Sequence, residues 1–393
     1  MINATTEKLT VVHELDAWLE RTQTFIYHQV KYAPIDIENH IVCQYLRNLD
    51  QFAVPNIHAL EQASPWQQTW DRWVRKSKVR PYLGYLVEQA QRCGARVLHS
   101  HFGPGGWNNL GAARRARLKH VVTFYGLDIN YLPTVQPRWR ERYRDMFRQI
   151  DRVLCEGSYM AGSIAQLGCP AEKILVHHLG IAVDAIAFQP RCWQPGEPLR
   201  VLLTGTFHEK KGIPYALEAL GRLQHSVPLE ITVIGDAKNE PRSLAEKQKI
   251  LATIAKHDLH AKVRLLGYQP YARLFEEAYQ HHIFLAPSVL ASNGDCEGGA
   301  PVTIIEMAAT GMPVVSTRHC DIPGVVLDGV TGLLADERDV DGLIARLCHL
   351  ISNPQQWQAM AEAARRHIEA EFDARVQGER LAAIYRDLAQ RTA

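Results

Sequence analysis

The stretch that decides the fold of the C-terminal half is "EGGAPVTIIEMAATGMPVVST", residues 297–317. It follows the strand-like run "HIFLAPS" at 282–288. Two glycines and a proline lead into an apolar helical segment at about 301–310, because glycine permits close backbone approach and proline suits the first helical position. Gly311 and Pro313 then end the helix before a second apolar strand. Strand, loop, helix and strand in this order indicate a parallel α/β sheet.

The start of this helix is a predicted phosphate-binding site. Its first N–H groups have no partner within the helix, and the helix dipole places positive charge at the same end. Glu306 lies one and a half turns into the helix, where its carboxylate can accept hydrogen bonds from a vicinal diol such as ribose. The segment therefore predicts a nucleoside diphosphate site without a Walker motif.

A second informative segment is "LLTGTFHEKKG" at 202–212, which indicates a strand, a glycine turn and the start of a helix. Lys210 and Lys211 stand just before Gly212, where the next helix opens. A lysine at this turn can reach a diphosphate that is bound at the neighbouring helix N-terminus. The alternative is that both lysines are surface charges, but the presence of both segments in one chain favours phosphate binding.

Apolar runs alternate with helical segments through both halves of the chain, which predicts two parallel sheets with crossover helices. The segment 188–200 holds three prolines and a glycine and is predicted to be a linker. We therefore expect domains at 1–190 and 191–370 and a C-terminal helix at 371–393 that packs back on the first domain. The strand-like runs are 9–15, 40–46, 95–102, 120–126, 151–157, 173–180, 200–205, 229–236, 262–267, 282–288 and 312–317.

Several of these segments together carry a resemblance to a known family. The chain resembles glycosyltransferase family 4, a family of retaining enzymes with the GT-B fold, and in particular the bacterial polysaccharide-type transferases. The resemblance covers essentially the whole chain, more strongly in 200–335 than in 1–190. The segments are "HSHFG" (99–103), "TFYGLD" (123–128), "GTFHEKKG" (205–212), "EGGAPVTIIE" (297–306), "GMPVVST" (311–317) and "GVTGLLAD" (329–336).

The resemblance implies two facing Rossmann-like domains with a cleft between them and a UDP- or GDP-linked sugar as co-substrate. Lys211 would bind the donor diphosphate, Glu306 the ribose, and Glu297 the donor sugar. On the acceptor side it implies His101 and Tyr125, with His101 and Asp128 as candidate catalytic or positioning residues beside Lys211 and Glu297. The remaining implied donor contacts are Gly205, Thr206, Lys210, Gly298, Gly299, Ala300, Pro301 and Val302. No metal is implied.

Three positions depart from the family pattern. Glu297 and Glu306 have eight residues between them where the family usually has seven, so Glu297 is displaced by one residue from the family pattern. Thr206 stands where the family has an arginine, so Lys211, with Lys210 or His208, must neutralise more of the phosphate charge. Tyr125 replaces a histidine and is a poor base at neutral pH.

The composition of the chain is that of a globular protein, with a net charge of +2. The eight cysteines contain no C-x-x-C pair, which indicates reduced thiols rather than disulfides or a zinc site. Neither a signal peptide nor a membrane-spanning run is evident, so we expect a cytoplasmic protein that could also lie at the inner face of the membrane. The segment "DVD" at 339–341 matches the metal-binding pattern D-x-D, but helix capping is the favoured interpretation.

The basic excess of the first half is concentrated in 51–150, with 16 basic and 6 acidic residues. Trp66, Trp70 and Trp73 are spaced as one face of a helix in this region. The favoured interpretation is a core-facing stripe. The alternative is an interfacial helix on an anionic membrane, which would suit a lipid-linked acceptor. A nucleic-acid partner is not expected, because no basic-aromatic module is present.

The function expected from the sequence is transfer of a sugar from a nucleotide sugar to a hydroxyl acceptor, in polysaccharide or glycoconjugate synthesis. The acceptor would be a glycan, a lipid-linked sugar or a small molecule. Two alternatives share a similar fold: a sugar-nucleotide epimerase or a phosphorylase, and a non-catalytic relative that binds a nucleotide or a glycan. Thr206 and Tyr125 keep the non-catalytic alternative open.

Overall fold

The structure is a computed structural model that describes residues 8–20, 23–77 and 79–391. The chain divides into two compact units: one runs to Ala182 and resumes at Asp373, and the other spans Val183–Phe372. The sequence-based boundary at 190 lies a few residues after this division. No helix in the described ranges is long and apolar enough to cross a bilayer.

The strands are β1 (Leu9–Glu14), β2 (Ala17–Trp18), β3 (Ile37–Cys43), β4 (Tyr45–Leu46), β5 (Ile57–Ala59), β6 (Val97–His101), β7 (Lys119–Thr123), β8 (Arg152–Cys155), β9 (Ile174–Val176), β10 (Leu199–Thr204), β11 (Leu229–Ile234), β12 (Val263–Leu265), β13 (Ile283–Ala286), β14 (Val314–Thr317) and β15 (Leu333–Ala335). The α-helices are α1 (Thr24–Lys31), α2 (Pro65–Lys76), α3 (Gly84–Arg92), α4 (Gly103–Ala116), α5 (Leu132–Val135), α6 (Arg138–Gln149), α7 (Ser158–Gln166), α8 (Ile213–Leu223), α9 (Pro241–Lys256), α10 (Tyr271–Gln280), α11 (Val302–Ala309), α12 (Ile322–Val325), α13 (Val340–Ser352), α14 (Trp357–Glu371) and α15 (Ala374–Gln390).

Each unit is built on one large parallel sheet, as the alternation of apolar and helical segments predicted. The first has seven strands in the order β5-β3-β1-β6-β7-β8-β9, and β2 and β4 form a small separate pair. The second has six strands in the order β12-β11-β10-β13-β14-β15. Most of their strands are rich in apolar residues because helices cover both faces of such sheets.

The C-terminal helix α15 belongs to the first unit, as expected. Its N-cap Asp373 accepts hydrogen bonds from the N–H groups of Arg375 and Val376, which fixes the start of the helix. Leu381 and Tyr385 are buried and join the core formed by the central strands of the seven-stranded sheet. One side of α15 thus packs against that sheet.

The expectation of a core-facing tryptophan stripe on α2 is wrong. Trp66, Trp70 and Trp73 are 71%, 47% and 57% exposed, and their rings stack in a row with centroids 5.5 and 5.6 Å apart. The buried side of the helix is instead Asp71 and Val74. Periodicity showed that the three rings share a face but not which face is buried.

Candidate active site

The two parallel sheets each have a point where the strand order reverses. In the second unit it lies between β10 and β13, and in the first between β1 and β6. Ligands of open parallel sheets bind beyond the carboxyl ends of the strands at such points, because the following loops diverge there. Segments 205–212 and 297–317 follow β10 and β13, and segment 99–103 includes the end of β6.

Lys211 is positioned by the turn that follows β10. It ends a 3₁₀ turn, Glu209–Lys211, and α8 begins two residues later. Its aliphatic stem crosses Gly205, where an added Cβ would lie 3.1 Å from Lys211 Cγ. Gly205 has a φ of +146°, and Gly212 has a φ of +63° with its backbone packed against the carbonyl of Pro287. Glycine is therefore required on both sides of the lysine.

The ammonium group of Lys211 pairs with Glu297. The Nζ to carboxylate distance is 2.9 Å, and the side chain of Glu297 is only 6% exposed. Ser288 Oγ donates a second hydrogen bond to Glu297 at 2.8 Å. Burial acts to raise the pKa of Glu297, but Lys211 and then Lys210 outweigh it and lower the pKa, so the carboxylate is ionised.

Lys210 has a different set of contacts. Its Nζ lies 3.1 Å from Asp295 and donates to the carbonyl of Cys296 at 3.0 Å. Burial acts to lower the pKa of Lys210, but Glu297 and Asp295 raise it overall. Lys210 thus ties the 3₁₀ turn to the loop before α11, while Lys211 extends along that loop to Glu297.

Helix α11 begins at Val302, with Pro301 as the residue before it, one position later than the sequence suggested. Pro301, Val302 and Thr303 are partly exposed, so the first turn is accessible. The loop before it contains Gly298 with a φ of +81°. Gly299 accepts a 3.4 Å hydrogen bond from Asp321, and Ala300 follows it. Gly311, with a φ of +87°, ends the helix as predicted.

Glu306 is buried on α11, and Tyr271 OH donates to it at 2.6 Å. Burial raises the pKa of Glu306 to about 7, with Tyr271 acting weakly in the opposite sense. The carboxyl is therefore protonated at acid pH and ionised at alkaline pH. Tyr271 was not singled out by the sequence, because a tyrosine at the start of an amphipathic helix resembles an ordinary core residue.

A small cavity adjoins these groups. It is lined by the ends of β10 and β13 together with Lys211, Ser288, Pro301 and Thr303. Thr204 also lines it, and its hydroxyl has no hydrogen-bond partner. Thr206, in the turn after β10, is partly exposed and uses its carbonyl to accept from His208 N–H at 2.7 Å. The unpaired Thr204 hydroxyl, the Lys211 ammonium group and the first turn of α11 therefore meet at one edge of the sheet.

In the first unit, His101 belongs to a directed hydrogen-bond chain. Tyr125 OH lies 2.6 Å from His101 Nδ1, His101 Nε2 lies 3.0 Å from His13 Nδ1, and His13 Nε2 lies 3.1 Å from Asn39 Oδ1. Asn39 uses its NH₂ group to donate to Val30, so its oxygen must accept. Protons then sit on Nε2 of both histidines, and Tyr125 donates to His101.

Both histidines of this chain are neutral. Burial lowers the pKa of His13 to about 4, and burial followed by the neighbouring His13 lowers the pKa of His101 well below its usual value. Both ring nitrogens of His101 are engaged within the unit. The geometry thus gives His101 a positioning role through Tyr125, and His13 and Asn39 were not identified from the sequence because they lie far from it along the chain.

Asp128 is buried, and each of its two carboxylate oxygens accepts a hydrogen bond from a backbone N–H group. Gly103 N–H donates at 2.7 Å and Tyr125 N–H at 3.0 Å. Burial raises the pKa of Asp128 to about 6, against the effect of these N–H groups. Asp128 therefore fixes the start of α4 and the loop that carries Tyr125, which is the action of a positioning residue.

Two other sequence predictions can be compared with the structure. Asp339 of "DVD" accepts from Gly342 N–H at 2.8 Å and caps α13, as expected. All eight cysteines are free thiols. Their spacing did not predict a cluster, but Cys296 and Cys320 converge with His319, and their ligand atoms lie within 4.8 Å of one another.

Comparison with known proteins shows the family of the chain. A model described as "Glycosyl transferases group 1" matches residues 198–353, and one described as "Glycosyltransferase Family 4" matches residues 24–185. The amylovoran biosynthesis glycosyltransferase AmsK of Erwinia amylovora is 33% identical over 298 residues, covering 75% of this chain and 71% of AmsK. WcaL of Salmonella typhimurium, assigned as a colanic acid biosynthesis glycosyltransferase, is 28% identical over 348 residues, which cover 86% of this chain and 82% of WcaL.

A solved structure has the same fold. HepE of Anabaena, determined in complex with UDP and glucose, superposes with a TM-score of 0.72 at 14% identity, covering 96% of this chain and all of that chain. The two Rossmann-like sheets thus correspond to the GT-B fold. With the family models and the similarity to AmsK, they show that this chain belongs to glycosyltransferase family 4 and is a nucleotide-sugar-dependent glycosyltransferase.

Proposed function

We propose that the unit Val183–Phe372 binds the nucleotide-sugar donor at the carboxyl ends of β10 and β13, and that Lys211 and Glu306 are its main anchors. The observation that carries the proposal is the convergence of Lys211, the start of α11 and the unpaired Thr204 hydroxyl at one strand-order reversal. A cation beside free helix N–H groups is a binding site for a diphosphate.

Lys211 is the proposed diphosphate ligand because it lines the cavity at the ends of β10 and β13, whereas Lys210 contacts Asp295 and a backbone carbonyl outside this lining. The 2.9 Å pair with Glu297 orients the ammonium group. The N–H groups at Gly298, Gly299, Ala300 and Val302 would add donors around the phosphates. Gly205 and Thr206 provide the turn that lets the lysine approach.

Glu306 is the proposed ribose ligand. An ionised carboxylate can accept hydrogen bonds from both hydroxyls of a vicinal diol, and such charge-assisted bonds are stronger than neutral ones. Tyr271 fixes one carboxylate oxygen by its 2.6 Å hydrogen bond. Because the pKa of Glu306 is about 7, donor binding should favour, and be favoured by, the ionised form.

The proposed reaction breaks the bond between the anomeric carbon and the diphosphate oxygen, so negative charge grows on the leaving group. Lys211 and the N–H groups of α11 neutralise that charge without a metal ion. Glu297, next to Lys211, would lie against the donor sugar. The family implies retention, with the acceptor hydroxyl attacking from the face that the diphosphate leaves.

On the acceptor side we propose that Tyr125 contacts the acceptor and that His101 and Asp128 position it. The chain from Tyr125 through His101 and His13 to Asn39 fixes the direction of the tyrosine hydroxyl. The relatives AmsK and WcaL are named for amylovoran and colanic acid biosynthesis, which supports a glycan acceptor in exopolysaccharide assembly.

We also propose that α2 contacts an anionic membrane, which would place the enzyme at the cytoplasmic face and suit a lipid-linked acceptor. Its three exposed tryptophans form a stacked row, and the exposed Arg72 and Lys76 lie on the same helix. Indole rings with adjacent basic side chains are typical of interfacial helices. Flotation with vesicles of anionic and of neutral lipid tests this: binding should require anionic lipid and weaken in a Trp66→Ser/Trp70→Ser variant.

A panel of UDP-, GDP- and ADP-sugars, each with and without a glycan acceptor, tests the proposed function. Sugar transfer or slow donor hydrolysis supports the proposed function. Proton NMR should show that an α-linked donor gives an α-linked product. The NMR spectrum of the donor also separates the alternatives, because an epimerase would return an isomerised nucleotide sugar and a binding module would leave it unchanged.

A further inference from the structure

We propose that Cys296, His319 and Cys320 form a binding site for a soft divalent cation of the zinc class, separate from the residues that bind the donor. The site lies between the loop before α11 and the segment after β14. Cys296 and His319 are buried and Cys320 is half-buried. The three ligand atoms lie within 4.8 Å of one another.

The protonation of His319 is fixed by its neighbours and suits metal binding. Glu297 N–H lies 3.2 Å from His319 Nε2, and a backbone N–H can only donate, so Nε2 carries a lone pair. The proton is then on Nδ1, which lies 2.7 Å from Glu337. A carboxylate on the far nitrogen of a ligating histidine orients the ring and raises its basicity.

The sulfur atom of Cys320 lies beside this nitrogen. Cys320 Sγ is 3.1 Å from His319 Nε2. Two ligands on a metal ion are separated by a distance of this order, because Zn–S bonds are about 2.3 Å and Zn–N bonds about 2.0–2.1 Å. Cys320 also has a φ of +47°, which is uncommon for a residue other than glycine. Strained backbone of this kind persists where the surrounding structure requires it.

Two thiols and one imidazole favour zinc over magnesium or calcium, which prefer oxygen ligands. Binding converts both thiols to thiolates, so each metal ion displaces two protons into solvent, and the fourth position is left for water or an anion. The metal would also take the Nε2 lone pair that now accepts from Glu297 N–H. It would fasten the loop that carries Glu297 to the segment after β14, which a 3.4 Å hydrogen bond from Asp321 to Gly299 already links.

Titration of the full chain with cobalt(II), in the presence of a phosphine reductant, tests the proposal directly. We expect one equivalent to give sulfur-to-cobalt charge-transfer absorption and the intense visible bands of a tetrahedral ion, both bleached by zinc. About two protons should be released per metal ion. Zinc at a hundredfold excess over its Kd should raise Tm by about 5 °C or more. None of these readouts depends on transferase activity.

The control variants use the other cysteines of the same chain. Cys192 and Cys348 are exposed, so a Cys192→Ser/Cys348→Ser variant should keep the cobalt spectrum. Cys320→Ser should abolish the charge-transfer bands, and Glu337→Gln should weaken binding by about 10- to 100-fold through the orientation of His319.

Three results would overturn the proposal: a wild-type protein without tetrahedral cobalt bands, bands that persist in a folded Cys320→Ser variant, and bands that disappear in the Cys192→Ser/Cys348→Ser variant. A Cys296–Cys320 disulfide in place of metal binding would also refute it. This outcome would appear as a loss of two mass units when the reductant is removed, together with no cobalt binding when the reductant is present.

Discussion

Replacing Lys211 by alanine perturbs the proposed mechanism at the point where it depends on one side chain. The lysine crosses Gly205 to reach Glu297, and the neighbouring Lys210 is engaged elsewhere. Thr206 stands where the family resemblance implies a second cation, so less charge is available to compensate. We expect Lys211→Ala to lower kcat by about 100-fold or more, the scale that follows removal of one donor to a developing anion.

The same substitution leaves the carboxylate of Glu297 with Ser288 but without its cation. Removal of one partner of a fully buried pair costs about 3–5 kcal/mol. Lys211 is 22% exposed and Glu297 is 6% exposed, so solvent screening reduces this cost only in part. A stability loss could therefore imitate a catalytic one. The double variant Lys211→Met/Glu297→Gln removes the unpaired charge and separates the two effects.

Steady-state kinetics and thermal unfolding of both variants are the appropriate assays. Lys256→Ala is a matched control, because Lys256 belongs to the same unit and pairs with Glu218 at 2.8 Å on an exposed surface. That variant should keep both kcat and Tm near wild type. A folded Lys211→Ala enzyme with nearly normal kcat would refute the reasoning and would assign the phosphates to Lys210, His208 or a metal.

Three further predictions concern the same site. Nucleoside diphosphate affinity should fall by about tenfold between pH 8 and pH 6, because the Glu306 carboxyl with a pKa of about 7 becomes protonated. Calorimetry of Glu306→Gln should show weaker nucleotide binding at pH 8 and an affinity that changes less with pH. Gly205→Ala should raise KM for the donor, since its Cβ would press on the Lys211 stem, and should also lower Tm, because a φ of +146° is strained for alanine; an unchanged KM in the folded variant would contradict this. Transfer should continue in EDTA, and a loss of turnover that Mn²⁺ or Mg²⁺ restores would show that metal independence is wrong.

The sequence could predict the parallel sheets and the segments that line the candidate site, since these features are local. Buried parallel strands are continuous apolar runs, and Lys211, Pro301 and Glu306 occur at fixed offsets from glycine turns. Strands β2, β5 and β15 were not predicted, and each has no more than three residues.

Other features depend on contacts between distant parts of the chain. Asp71 is buried on α2 because Arg80 pairs with it and the N–H groups of Gly84 and Tyr85 donate to it, and this turns the tryptophans outward. Cys296 and Cys320 approach because β13 and β14 are adjacent in the sheet. Neither arrangement can be deduced from residue spacing.

Residues 183–372 are proposed to hold the donor through Lys211 and Glu306. The most direct test is a crystal structure of the chain with the nucleoside diphosphate selected by the donor panel. We predict that a phosphate oxygen lies within hydrogen-bonding distance of Lys211 Nζ and of an N–H group in the first turn of α11, and that the ribose hydroxyls bind Glu306. A nucleotide bound in the first unit, or in the second without contact to either side chain, would contradict the account.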